Sequence, residues 1–168
     1  MPNNNVFRGS DATLNLAVND TTTIEGGLAE KLIAEYEFSN MVGRLTNVQV
    51  RLENDVKPYH EIGNRFPTEL RPGNLNVTGT IERAHINGAL LRLLLGDGNT
   101  SPVSTIPQPV FEIVINMTNP ANPDSTTKVI ISGVKFDSWS FMLPEDHFIM
   151  ESITFRAISI KAEEKSPV

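Results

Sequence analysis

Two ten-residue stretches of near-regular alternation, 44–53 and 74–83, are separated by residues that show none, and this arrangement constrains the fold more than anything else in the chain. In the first stretch Val48, Val50 and Leu52 alternate with Asn47, Gln49, Arg51 and Glu53. In the second, Leu75, Val77 and Ile81 alternate with Asn76, Thr78, Thr80 and Glu82. A period of two is the period of a β-strand, whose successive side chains point to opposite faces. One apolar and one polar face predict an antiparallel sheet with one side on the core and the other on water or a water-filled space. Gly79 interrupts the apolar row, which predicts a bulge or a close approach of a neighbour.

The nineteen residues 55–73, DVKPYHEIGNRFPTELRPG, are unusual inside a compact domain, where structureless loops of that length are rare. They carry Tyr59, Ile62, Phe66 and Leu70, which can bury surface, and Pro58, Pro67 and Pro72, which lower the entropy of the unfolded chain. An ordered projecting arm is expected, with charges of alternating sign at Lys57, Glu61, Arg65, Glu69 and Arg71.

The remaining segments read as follows. Residues 12–18 alternate as a first strand, and 28–36 hold good helix formers with Leu28, Leu32 and Ile33 on one face. Residues 86–95 form a helix ending at Gly96, with Ile86, Leu90, Leu93 and Leu94 toward the core. A Gly/Ser/Pro-rich connection follows from Asp97 to Pro109. Further strands are expected at 111–117, at 128–141 with a change of phase near Gly133, and at 148–161, with turns at 119–126 and 143–146. The sum is a mainly β fold: an antiparallel β-sandwich or barrel with a flanking α-helix and a long projecting loop. It forms one domain over 1–168, with an N-terminal arm at 1–11, the long loop at 55–73 and a polar tail at 162–168.

No catalytic constellation stands out. His60, His85 and His147 lie outside metal-ligand spacing of one another, and the GxSxG, GxxxxGK[ST], GxGxxG and HExxH patterns are missing. Gly96-Asp97-Gly98 reads as a helix cap, and Asp97–Asn99 is a fragment of a calcium loop without the remaining ligands. There are no cysteines, which removes disulfides and thiolate metal sites. The expectation is therefore no enzyme, no cofactor and no metal. A formal net charge of −6 disfavours nucleic-acid binding but suits a surface past which DNA moves without sticking. No apolar run approaches bilayer-spanning length and no secretory leader is visible, so assembly in a cytoplasm is expected and the sequons at Asn19, Asn76, Asn99 and Asn116 are ascribed to chance. Trp139 alternates with Phe141, which favours a core or interface position over a sugar-binding platform.

Several segments, taken in order, resemble the tail tube proteins of tailed viruses: GSDATLNLAV, VGRLTNVQVRL, YHEIGNR, PGNLNVTGTIERAHINGALLRLLLG, ISGVKFDSWSF and MESITFRAISI. Order and spacing carry the resemblance, which runs from about Gly9 to Ile160 and is closer to tubes of contractile tails. It implies a virion subunit that forms hexameric rings, with rings stacking into a hollow conduit for the genome. It implies partners as well: further copies of the chain, sheath, tape-measure and baseplate or tail-initiator proteins, with DNA passing through the lumen.

Carried onto this sequence, the resemblance makes Lys57, Tyr59, His60, Glu61, Arg65, Phe66, Glu69 and Arg71 the inter-subunit arm. It makes Asn47, Gln49, Arg51, Glu53, Asn76, Thr78, Thr80 and Glu82 the lumen-facing positions. Arg51 and Arg83 both fall among the polar-face candidates, which leaves the sign of the luminal charge open. The resemblance extends to tubes of phage-like contractile injection machines that carry proteins. A non-catalytic β-sandwich binding module and a hydrolase built on scattered carboxylates are the competing classes.

Overall fold

The computed structural model describes residues 6–96 and 107–165. Within them a single 3-10 turn at Gly9–Asp11 precedes β1 (Ala12–Ala17), followed by α1 (Ile24–Tyr36), β2 (Leu45–Asn54), β3 (Lys57–Tyr59), β4 (Glu69–Arg71) and β5 (Leu75–Ala84). Then come α2 (Ala89–Leu95), β6 (Phe111–Asn119), β7 (Asn122–Met142), β8 (Met150–Ala157) and β9 (Ser159–Lys165). The Asp97–Asn99 calcium-loop fragment, most of the Asp97–Pro109 connection, the first five residues of the N-terminal arm and the last three of the tail lie outside the described residues.

All strand pairings are antiparallel, as the alternation predicts. The main sheet runs β1-β6-β7-β8-β5-β2, with β9 on the free side of the first half of β7. The twenty-one residues of β7 serve two layers. Thr126–Ser132 pair with β9 and lie in the same layer as β6 and β1, whereas Lys135–Met142 pair with β8 and continue into β5 and β2. We call these layers sheet A and sheet B.

The crossing point is Gly133, with φ of +68°. A Cβ there would also strike the side chain of Ile158 at 2.6 Å, so the left-handed backbone and the crowding both require glycine. The phase change expected near this residue is thus the passage of one strand between layers.

The layers enclose a core of Leu14, Leu16, Phe111, Ile113, Ile131, Val134, Phe136, Ile153, Phe155, Val77 and Ile81. Two helices complete it: α2 packs on β7, and α1 on α2 and β1. Arg92 of α2 donates to the Glu35 carboxylate (2.6 Å) and to the Tyr36 hydroxyl (3.0 Å) of α1. Those two acceptors, Tyr36 first, hold the guanidinium still more firmly protonated than usual.

Helix α1 starts earlier than expected. The Thr23 hydroxyl accepts the Gly26 amide at 3.0 Å and caps the helix, and Gly26 sits so close to the Asp20 carbonyl that any Cβ would collide with it. Conversely α2 begins only at Ala89, and Ile86 is exposed rather than part of the core. Strands account for more of the chain than expected. The turn read at 119–126 tightens to Asn119–Asn122, and the last strand splits at Ile158 into β8 and β9. Within the polar tail, Ala162–Lys165 pair with β7 and belong to β9.

Candidate assembly surfaces

The segment 55–73 is not structureless. β3 and β4 pair as a small hairpin, with Lys57 opposite Arg71, Pro58 opposite Leu70 and Tyr59 opposite Glu69. Its base is tied by the Asp55 amide to the Asn74 carbonyl (3.0 Å) and by the Gly73 amide to the Asn54 side chain (3.1 Å). Thr68 closes the hairpin by donating its amide to the Tyr59 carbonyl at 2.9 Å. Every residue of 51–76 is exposed, so the arm stands clear of its own domain.

The eight arm candidates divide between the hairpin, which holds Lys57, Tyr59, Glu69 and Arg71, and its tip, which holds His60, Glu61, Arg65 and Phe66. The apolar side chains of the tip bury little within the subunit: Ile62 is fully exposed and Phe66 is 80% exposed. Lys57 pairs with Asp55 (3.7 Å) and Arg71 with Glu69 (3.2 Å). Arg65 has no ion-pair partner among the described residues.

The eight lumen candidates form a single patch. Asn47 faces Glu82, Gln49 faces Thr80, Arg51 faces Thr78 and Glu53 faces Asn76 across β2 and β5. The register carries the polar face onward through Ser152, Thr154 and Arg156 of β8 to Ser138 and Ser140 of β7. Its charges are largely neutralised in place. Arg51 meets Glu53 at 2.5 Å, and Arg156 meets Asp137 at 3.2 Å. The Thr154 hydroxyl, and after it Arg156, donate to the Asp137 carboxylate and hold it below the usual aspartate range.

Two residues of these strands lie elsewhere than expected. Arg83 does not join the polar face: it shares the inward phase of Val77 and Ile81 and is 1% exposed. Leu75, which shares that phase, is 63% exposed, as is about half of Leu52; both lie at the arm end of sheet B.

Gly79 is a close approach rather than a bulge, since the β2–β5 register is unbroken there and a Cβ would stand 2.3 Å from the Phe155 ring. The sandwich stays open between the free edges β1 and β2, where an apolar cavity of about 1000 Å³ lined by Leu14, Val48, Val50, Ile115, Val129 and Ile160 reaches the surface.

Arg83 belongs to a buried polar network that alternation alone did not reveal. Glu151 of β8, 1% exposed, accepts from Arg83 Nε (2.7 Å) and from Trp139 Nε1 (3.1 Å), and stands 3.1 Å from His85 Nδ1. Arg83 also donates to Asn87 Oδ1 (3.2 Å), which accepts the Ala89 amide (3.1 Å) at the start of α2. The half-buried indole of Trp139 packs on Phe141 at 4.7 Å. His60 and His147 are exposed, and no cluster of metal-ligating side chains occurs among the described residues. Among the described residues no helix is long and apolar enough to cross a membrane.

A second apolar surface went unread in the sequence. At the β7–β8 turn, Phe141, Met142, Leu143, Phe148, Ile149 and Met150 are all exposed, Met142 at 75% and Phe148 at 88%, with Ile86 beside them. The run of apolar residues around Leu143–Asp146 was its available signal.

No protein-family model matches the chain, and no curated protein matches it. Solved structures do match. A chain of the extended sheath–tube complex of PVC, an extracellular contractile injection system, superposes with a TM-score of 0.61 at 11% identity, covering 95% of this chain and 93% of that one. A chain of the tube-terminating cap of the anti-feeding prophage gives 0.59 at 11% identity over 99% and 95%. The SPP1 tail tube gives 0.59 at 9% identity over 97% and 81%. At such identities the likeness is one of fold. The chain has the tail-tube fold, and the resemblance carried by the order of its segments is a resemblance of architecture over nearly the whole length.

Proposed function

We propose that this chain is the structural subunit of a viral tail tube, assembling as hexameric rings that stack into a hollow conduit for genome delivery. The observation that carries the reading is the outer face of sheet B. It is a continuous polar surface of amides and hydroxyls whose arginines are paired with carboxylates, on a subunit of the tail-tube fold. Such a face offers DNA phosphates few unpaired cations, and affinity for phosphate is what would stall a moving duplex.

Sheet B ends in β2 on one side and in the second half of β7 on the other, each with an edge unpaired among the described residues. Exposed edges are a liability in an isolated protein. In a ring they become the joint: β2 of one copy beside β7 of the next, with the polar face toward the lumen. The strands then run along the tube, and the arm at their end projects toward a neighbouring ring. In this reading the chain catalyses nothing. It works with sheath, tape-measure and baseplate or tail-initiator proteins, is assembled in the host cytoplasm and resides in the virion tail.

A second reading, the tube of a phage-like contractile injection machine, is favoured by the match to the contractile injection system. Electron microscopy of the purified protein over a concentration series tests the shared part. Hollow tubes or six-fold rings are expected, and a monomer at every concentration, with and without tail-initiator complex, would refute it. Passage of DNA or protein cargo separates the two readings.

A further inference from the structure

The arm and the apolar β7–β8 turn lie at opposite ends of sheet B. The arm joins β2 and β5 at Asn54 and Leu75. At the far end of the same strands, Leu45 pairs with Arg83 and Ala84 with Met150, which brings residues 143–149 to that end. His85 fixes the turn there by donating its amide to the Ile149 carbonyl at 2.8 Å. Ten-residue strands separate the two surfaces by about 30 Å.

The two ends are complementary. The arm tip offers Ile62 and Phe66 around Arg65. The turn offers Met142, Leu143 and Phe148 around Glu145 and Asp146. Arg65 on one side, and Glu145 and Asp146 on the other, are without an ion-pair partner among the described residues, although the arm's other two cations, Lys57 and Arg71, are paired locally. Exposed apolar groups of this size mark contact surfaces. Opposite charge at their centres selects the partner and its register.

We infer that the β7–β8 turn, with Leu143, Phe148, Glu145 and Asp146, is the acceptor for the arm tip of a second copy, with Arg65 set between the two carboxylates. The contact is heterologous, joining two different patches, so it propagates instead of closing on a dimer. It rests on the tube reading, to which it adds the pair of surfaces that meet between rings. Surfaces inside one domain that complement each other but stand a whole strand length apart can meet only between copies.

Charge exchange tests it. Arg65→Glu alone, and Glu145→Lys with Asp146→Lys, are each expected to raise the protein concentration needed for stacking by at least about tenfold. Combining all three changes is expected to restore stacking. Every changed residue is exposed, so unchanged unfolding midpoints of the monomers serve as the folding control. The chain has no cysteine, so Phe66→Cys with Leu143→Cys adds an independent readout: under oxidation, a ladder of disulfide-linked multimers is expected. If the wild type forms tubes, the charge variants do so equally and no ladder appears, the acceptor assignment is overturned and the tube reading stands. If the wild type never stacks and no ladder forms, both are overturned.

Discussion

Arg83 and Glu151, sixty-eight residues apart in sequence, stand opposite one another in the β5–β8 ladder and are joined at 2.7 Å, each about 1% exposed. Two charges withdrawn from water are sustained here only because each has further partners: Asn87 for the guanidinium, Trp139 and His85 for the carboxylate. Such a pair adds little net stability against well-packed apolar replacements, but removing one partner strands the other. Arg83→Met is therefore expected to cost about 3–5 kcal/mol. Arg83→Met with Glu151→Leu should recover a large part of that. Urea unfolding of the monomeric protein measures both, and a single variant as stable as the wild type would contradict the burial.

Gly79→Ala is expected to destabilise by about 1–3 kcal/mol through overpacking. The added methyl would meet the Phe155 ring at 2.3 Å and the Gln49 carbonyl at 2.6 Å. Phe155→Leu in the same chain should give back only part of the loss, because the carbonyl contact is backbone and stays. Thermal unfolding of the two variants distinguishes ring from backbone crowding.

Replacing Lys57–Leu70 by a short Gly-Ser link should leave the unfolding midpoint of the subunit unchanged, since the excised residues are all exposed. Stacking should be lost. Leu93→Ala makes the opposite separation: Leu93 is 1% exposed, and a core cavity there should cost about 2–5 kcal/mol and harm folding before assembly. Circular dichroism together with sedimentation tells the two classes of defect apart.

The depressed pKa of Asp137 carries a pH dependence. Its carboxylate is stabilised in the folded state by the Thr154 hydroxyl first and by Arg156 second. A group with a lowered folded-state pKa contributes stability above its unfolded value, near 4, and loses it as pH falls through the folded value. The site is partly exposed, so the contribution is less than about 1 kcal/mol. Asp137→Asn should narrow the gap in melting temperature between pH 7 and pH 3, and a gap of unchanged size would rule the contribution out.

On the polar face, Thr78→Lys with Thr80→Lys is expected to leave stability within about 0.5 kcal/mol of the wild type. It should introduce salt-dependent DNA binding to assembled tubes. Anisotropy of a labelled duplex at several salt concentrations reads this out, and a wild type that already binds as tightly as the variant would refute a non-adhesive lumen.

The parts of the fold that the sequence reveals are those in which one physical pattern dominates over several residues. The alternation at 44–53 and 74–83 locates β2 and β5 and pairs the lumen candidates, because burial of one face selects residue type at every second position. The arm hairpin escapes the same reading: β3 and β4 are three residues each, all exposed, and Pro58 sits in one of them, so no face is selected. Arg83 misleads because its charge argues for the surface whereas its parity with Val77 and Ile81 argues for the interior. The matching parity of Glu151 with Ile153 and Phe155 is the clue that resolves the conflict, since a buried cation needs a carboxylate at the same depth. The β7–β8 turn has no periodic signature at all, because its apolar residues lie in an exposed turn where no buried face selects residue type.

That β7 belongs to both layers has a mechanical consequence. A load applied to sheet B passes along a single covalent strand into sheet A, backed by ladder hydrogen bonds on both sides of Gly133. The layers cannot shear past one another or melt separately without stripping β7 from its neighbours. The two layers are therefore expected to unfold as one cooperative unit rather than one after the other.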